Sequence, residues 1–150
     1  MSRFLLFYVA ALGVLALDYL SKLWVRASLP LGQSVPLIPG FLHLTHVRNA
    51  GAVFGLFPGG LRVFVTVSLL IMVVLMLLRR RLEPRTPLVE VALGLQLGGT
   101  WGNFLDRVGS GLVTDFLDFR VWPVFNVADS GLVVGALLLA WWVVRGGHRL

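Results

Sequence analysis

Four apolar stretches organise the chain: Phe4–Val25, Leu61–Leu78, Leu88–Leu105 and Val124–Val144. Each is close to the ~20 apolar residues that carry a helix across the hydrocarbon of a bilayer. The second, LRVFVTVSLLIMVVLMLL, is apolar almost throughout, whereas the other three carry polar residues. The pattern predicts an α-helical integral membrane protein, one domain over residues 1–150 with four transmembrane helices. Two longer connections separate the stretches. Arg26–Gly60 is rich in Pro and Gly and contains the run Gly40–Val47, where Leu42, Leu44 and His46 alternate; the other is Asp106–Pro123. Together they predict a small β-rich cradle outside the membrane. The first stretch is long for a cleaved signal segment and holds Asp18 and Lys22, which favours a retained span.

Composition supports lipid as the solvent. Of 150 residues, 57% are hydrophobic and 13% charged, and the mean hydropathy is +0.87, too little charge for a water-facing surface. The net charge of +6 does not imply nucleic acid, because the basic residues form no stripe interleaved with aromatics. Arg79, Arg80, Arg81 and Arg85 instead crowd the connection between the second and third stretches. Basic loops stay in the cytoplasm, so both termini, with Arg3, Arg145, His148 and Arg149, are predicted to lie there too. Trp24, Trp101 and Trp122 fall near the opposite ends of the spans, and Trp141 and Trp142 near the cytoplasmic ones. With no cysteine, disulfides, thiolate catalysis and cysteine-based metal sites are excluded.

Only seven residues are acidic. Glu83 and Glu90 read as solvated or interfacial charge at the cytoplasmic connection. Asp18, Asp106, Asp115, Asp118 and Asp129 all fall at the outer ends of spans, where a charge in or near lipid is a functional candidate. Asp129 lies just inside the fourth stretch, and Asn126, three residues earlier, would share its helix face. Gly94, Gly98 and Gly102, with Gly131 and Gly135, have the small-residue spacing that lets helices approach. They predict close packing of the third and fourth helices, which would carry Asn103, Asp106 and Arg107 toward Asp129. Asp115 sits in the outer connection, and a chain turning back at Pro123 could set it beside Asp129. The alternative is two structural aspartates bound to Arg107 and Arg120. If the carboxylates meet, one would stay ionised and one protonated, the arrangement aspartic proteases use without metal or cofactor. Asp18 and Lys22, four apart, predict an intrahelical pair. His43 and His46 would face opposite sides of a strand, which argues against a metal pair.

Read together, these segments resemble the lipoprotein signal peptidase (signal peptidase II) family. Asp18-Tyr-Leu-Ser-Lys22, Asn49-Ala-Gly-Ala-Val-Phe54 and Gly102-Asn-Phe-Leu-Asp-Arg107 resemble its first three motifs. Val113-Thr-Asp-Phe116 and Phe125-Asn-Val-Ala-Asp-Ser130 resemble the segments that hold its catalytic aspartates. Each motif is short, but five in order over nearly the whole chain are specific. The resemblance implies an aspartic endopeptidase of the bacterial inner membrane, with Asp115 and Asp129 as the catalytic pair. It implies that Asn49, Asn103, Arg107 and Asn126 organise the site, and that Asp18 and Lys22 support it. The implied substrates are diacylglyceryl-modified prolipoproteins, cut just before the lipobox cysteine near the outer leaflet. It further implies membrane lipid as a partner, inhibition by globomycin-type cyclic peptides, no metal or other cofactor and a monomer. Tyr19 departs from the family, which usually has glutamine there.

Two other classes compete. A small transporter or proton-relay protein would use buried carboxylates spread through the depth of the membrane. A head-group transferase would favour several aspartates at helical spacing on one span. Here the acids gather at one end and on different elements.

Overall fold

A computed structural model describes residues 3–50, 60–83 and 86–147. The described chain forms α1 (Arg3–Ser28), β1 (Ser34–Ile38), β2 (Leu42–Asn49), α2 (Gly60–Arg81), α3 (Pro87–Ser110), β3 (Val113–Asp118) and α4 (Val127–Val144). Three of these helices, α1, α2 and α4, are long and apolar enough to cross a membrane. The third, α3, is 24 residues long but carries Glu90, Asp106 and Arg107. Its ends are set locally. The Thr86 hydroxyl accepts the Val89 N–H and Pro87 opens the helix, while Gly111, at φ 75°, closes it by donating its N–H to the Arg107 carbonyl.

The predicted cradle is a three-stranded antiparallel sheet in the order β1-β2-β3. Asp115 is therefore on a strand rather than in a loop, paired across the sheet with Val47. Beyond β3 the chain turns through Arg120, a non-glycine residue in the left-handed region at φ 65°. That conformation costs about 1 kcal/mol or more, and the Asp118 carboxylate offsets it by accepting the Arg120 backbone N–H at 2.8 Å. The turn brings Phe125 back to pair with Leu117. Residues Val124–Asn126, assigned to the fourth span from hydropathy, are consequently extended chain, and α4 starts at Val127.

α3 packs closely on α4, as the glycine spacing predicts, but it packs as closely on α1. Gly94 and Gly98 face α1, so closely that a β-carbon on either would collide with the Phe7 or Ala11 carbonyl. Gly99 and Gly102 meet Ala128 of α4, and Gly102 also abuts Asp18. From α4, Gly131 meets Val14 and Leu95, and Gly135 meets Ala92 and Gln96. The glycines thus extend the α3–α4 seam into a three-helix sandwich with α3 in the middle, parallel to α1 and antiparallel to α4. Apolar burial gives little association energy in lipid, so close backbone approach has to supply it.

At the arginine-rich end, Glu90 is not a solvated charge. It is buried and accepts from Arg79 Nε at 2.8 Å. The Arg79 guanidinium lies 4.1 Å from the Phe7 ring centroid and 4.5 Å from that of Phe4. Trp142, expected at the interface, is buried in a core with Phe7, Leu75, Val89 and Leu93. An ion pair enclosed by rings has a low-dielectric setting, where removing one partner costs about 3–5 kcal/mol.

The glycine seam makes a direct prediction. Gly98→Leu should destabilise the detergent-solubilised protein by about 3 kcal/mol or more, since backbone and not a flexible side chain blocks the new atoms. Gly13→Leu, on the same bundle with nothing within 4 Å of its β-carbon, should leave the melting temperature unchanged or slightly raised. A scan of both variants by fluorescence-detected gel filtration after heating checks this. Equal behaviour would refute the seam.

Candidate active site

The site is built around the N-terminus of α4. Asn126 is the N-cap: its side-chain oxygen accepts the Asp129 N–H at 2.9 Å. In return the Asp129 carboxylate accepts the Asn126 backbone N–H at 3.2 Å, completing a reciprocal capping box. Asn126 is thus a cap beside Asp129, not a neighbour on a helix face. Its amide nitrogen points the other way and donates to Asp115 Oδ1 at 2.7 Å. One side chain therefore touches both aspartates predicted to be catalytic.

Two further asparagines complete the frame. Asn103 of α3 donates to Asp129 Oδ1 at 2.7 Å, and its oxygen accepts from Asn126 at 3.0 Å. Asn49, at the end of β2, donates to Asp115 Oδ2 at 3.1 Å. The rest of its motif, residues 51–54, lies outside the described residues. Arg107 stacks 4.9 Å above the Phe64 ring centroid, where the charges of Asp129, Asp115 and Asp106 reach it.

Beneath this layer lies a buried ionic one. Lys22 meets Asp18 at 2.6 Å, as the i, i+4 spacing predicts, but it also reaches Asp106 at 3.1 Å and the Asn103 oxygen at 3.1 Å. The pair is therefore not a bland intrahelical one. Asp18 also accepts the Ala128 N–H at 2.8 Å, holding a first-turn amide of α4 from a different helix. Asp106 joins Arg26 in an ion pair and accepts the Thr114 backbone N–H at 3.0 Å, next to Asp115. Arg26 also donates to the Thr114 hydroxyl at 2.8 Å. Sequence reasoning gave Arg26 and Thr114 no role. Their signal was present only as a basic residue one turn after Lys22 and a threonine beside Asp115.

The other predicted residues fall elsewhere. Arg120 pairs with Asp118 at 3.3 Å and not with either site aspartate. The Asp118 carboxylate also accepts from Thr45 at 2.7 Å. His46 bonds the Leu29 carbonyl through Nδ1 at 2.8 Å while His43 meets Ser34 at 3.3 Å, so the two do not act together. Tyr19 is half-exposed on the outer face of α1 beside Leu12 and Leu105, so the departure from the family falls away from the site.

Burial pushes the Asp115 carboxyl up to about 6 from the ordinary 3.8; the Asp129 charge adds to this, while bonds from Asn49 and Asn126 oppose it. Asp129 is less buried and lines a cleft of about 450 Å³ with Phe119, Trp122, Phe125, Ser130, Val133 and Val134. The site thus offers two carboxyls in unlike surroundings, one of which opens onto an apolar cleft along α4.

Apolar helices, a sheet at their end and two carboxyls joined through one asparagine are the features to be matched against known proteins. A solved bacterial membrane enzyme, determined by the in meso method at 1.9 Å, superposes with a TM-score of 0.87 at 31% identity, covering 91% of each chain. The family description "Signal peptidase (SPase) II" matches residues 10–145. The lipoprotein signal peptidase of Moorella thermoacetica is 46% identical over 90% of both chains. That of Pelotomaculum thermopropionicum is 45% identical over 96% of this chain and 94% of its own. The chain belongs to the signal peptidase II family: it is a peptidase of the bacterial inner membrane that removes signal peptides from prolipoproteins. The transporter reading gives way to this one.

The raised Asp115 pKa fixes the sign of a pH effect. The folded state holds a proton that the unfolded chain releases near 3.8. Asp115 therefore favours folding most below pH 4, and that contribution is lost as pH rises to about 6. In detergent the melting temperature should fall over this window, and Asp115→Asn should flatten that fall. An unchanged pH dependence in the variant would contradict the burial of an ionisable group here.

Proposed function

We propose that the chain is an aspartic endopeptidase whose nucleophilic water is held between Asp115 and Asp129. The observation that carries this reading is Asn126, which bonds Asp115 with its amide and caps Asp129 with its oxygen and backbone. Two carboxyls fixed to one asparagine are positioned by the fold and not by chance proximity.

The chemistry follows from the unlike surroundings. The ionised member of the pair takes a proton from water as the oxygen attacks the scissile carbonyl. The protonated member donates a hydrogen bond to the carbonyl oxygen as it becomes negative. Collapse of the tetrahedral intermediate breaks the C–N bond and passes a proton to the departing amine. The products are a signal peptide ending in a carboxylate and a lipoprotein with a free amino terminus. Asn49, Asn103 and Asn126 hold the carboxyls against reorientation, Arg107 offsets their charge, and Asp18 and Lys22 support them from below.

The substrate reading is a prolipoprotein whose lipobox cysteine bears diacylglycerol, cut just before that cysteine. The cleft beside Asp129 supports it, since its aromatic and valine lining suits acyl chains that enter from lipid. A globomycin-type cyclic peptide would compete there. The topology we infer has four spans. α3 runs parallel to α1 with Gly94, Gly98 and Gly102 matched to Phe7, Ala11 and Asp18. It therefore covers the same depth as a helix that is itself apolar enough to cross. With Arg79–Arg81 on the cytoplasmic side, both termini are cytoplasmic and the dyad sits near the outer face. The chain acts as a monomer.

The test is cleavage of a diacylglyceryl prolipoprotein by purified protein in detergent, with chelator present. Wild type should cut before the lipobox cysteine. Asp115→Asn and Asp129→Asn should remain folded and lose at least about 10³-fold in kcat, as loss of a general acid or base does. Asn126→Ala should cost about 1 kcal/mol of stability as a lost cap yet about a hundredfold in kcat/KM through misplacement. Appreciable turnover by either asparagine variant, or activity abolished by chelator, would overturn the dyad.

A further inference from the structure

The two site carboxyls are carried by different parts of the molecule. Asp115 and the Asn49 that bonds it belong to the sheet, whereas Asp129, Asn103 and Asn126 belong to α3 and α4. Their spacing is therefore set by how the sheet sits on the helices. β3 is the strand that packs on α1 and α3, and its fixed point is Thr114, fully buried beside Asp115. Each polar group of Thr114 meets a different helix. The hydroxyl accepts from Arg26 Nε of α1 at 2.8 Å, and the N–H donates to the Asp106 carboxylate of α3 at 3.0 Å. The carbonyl lies 3.4 Å from the amide nitrogen of Asn126, the cap of α4. Arg26 closes this arrangement, since its guanidinium also pairs with Asp106. One rigid fork of donors thus grips a hydroxyl of β3 and a carboxylate of α3 together.

We propose that Arg26 and Thr114 are positioning residues for the dyad, which pin β3 to the helices and so fix the Asp115 carboxyl against Asn126 and Asp129. The inference rests on the aspartic reading above. Neither residue lines the cleft beside Asp129, so neither is placed to bind substrate. Neither is needed to keep the sheet attached, because His46 and Arg48 tie β2 to the Leu29 carbonyl and the Ser110 hydroxyl. Those ties lie one strand away from Asp115. Asp106 also keeps a second cation, Lys22 at 3.1 Å, when Arg26 is changed. What the pair adds is precision at one residue's distance from a reacting group, where a shift of about 1 Å costs about a hundredfold in rate.

Cleavage of a diacylglyceryl prolipoprotein by the purified full-length protein in detergent, with kcat and KM resolved, tests the proposal. Thr114→Val keeps the branched shape and the charge but removes the hydroxyl. It should lower kcat about tenfold, with KM within about twofold of wild type and the pH profile of kcat in place. Thr114→Ser should restore kcat. Arg26→Lys keeps the charge without the fork, so it should lose about as much as Thr114→Val, and the two together little more. Hydrogen exchange over residues 113–118, read by mass spectrometry, should quicken in Thr114→Val while peptides of α2 exchange as in wild type. That measurement does not depend on turnover. Wild-type kcat in Thr114→Val would overturn the positioning role, as would wild-type kcat in Arg26→Lys, which would leave Arg26 acting by charge alone. Unchanged exchange would overturn the pinning of β3. Turnover by Asp115→Asn would instead sink the aspartic reading, with the exchange data still deciding whether Thr114 holds the strand.

Discussion

The buried ammonium of Lys22 is the constraint on which the half of the molecule around the site depends. It sits on α1, yet its three acceptors, Asp18, Asp106 and Asn103, connect it to α3, β3 and α4. Asp18 reaches the first turn of α4, Asp106 reaches the backbone of β3, and Asn103 reaches Asp129. A lone ammonium in this setting would cost several kcal/mol, so the elements are held to the few arrangements that keep all three acceptors close. The three asparagines then act on carboxyls whose positions are already fixed. Precision at the dyad is inherited from the ionic layer below it.

The opposite end of the bundle meets the same physical problem with different chemistry. There Arg79 and Glu90 join α2 to α3, and the rings of Phe4 and Phe7 cover the guanidinium. Between the two polar ends the contacts are glycine against backbone, where packing and not desolvation holds helices together in lipid. This division explains how α3 can carry Glu90, Asp106 and Arg107 and still be the central helix. Its charges lie at its two ends, each met by a partner from a neighbouring helix, and its middle is a run of small residues that admits α1 and α4. A helix with these charges turned outward would be poorly tolerated by lipid.

Hydropathy made the helices legible because lipid imposes a length and a composition that the residues cannot disguise. The sheet was visible only as a short alternation at Leu42–His46, since partly exposed strands feel a weaker version of that constraint. Both catalytic candidates could be picked out because so few acids occur in the chain. What each glycine faces was not legible: Gly94 and Gly98 share the spacing of Gly102, and spacing alone does not say which neighbour a helix face meets. Glu90 was misread for a related reason, since its partner Arg79 lies across an interhelical connection and forms no local pattern with it. Asn126 was placed on a helix face because the hydrophobic run extends through Val124 and Phe125. The pairing of Phe125 with Leu117 in fact keeps that segment extended and makes the asparagine a cap.

Charge balance in the site bears on how the dyad shares its proton. Lys22, Arg26 and Arg107 bring three positive charges to one end of the bundle, against Asp18, Asp106, Asp115 and Asp129. With every carboxyl ionised the cluster would carry a net negative charge in a medium that screens it poorly, whereas one proton on the pair leaves it neutral. Burial pushes the Asp115 carboxyl up to about 6, and Asp115 lies away from the cleft that Asp129 lines. The cations that secure the fold thus also set the charge state that the proposed chemistry requires, and a substitution among them would be felt in the dyad even without touching it.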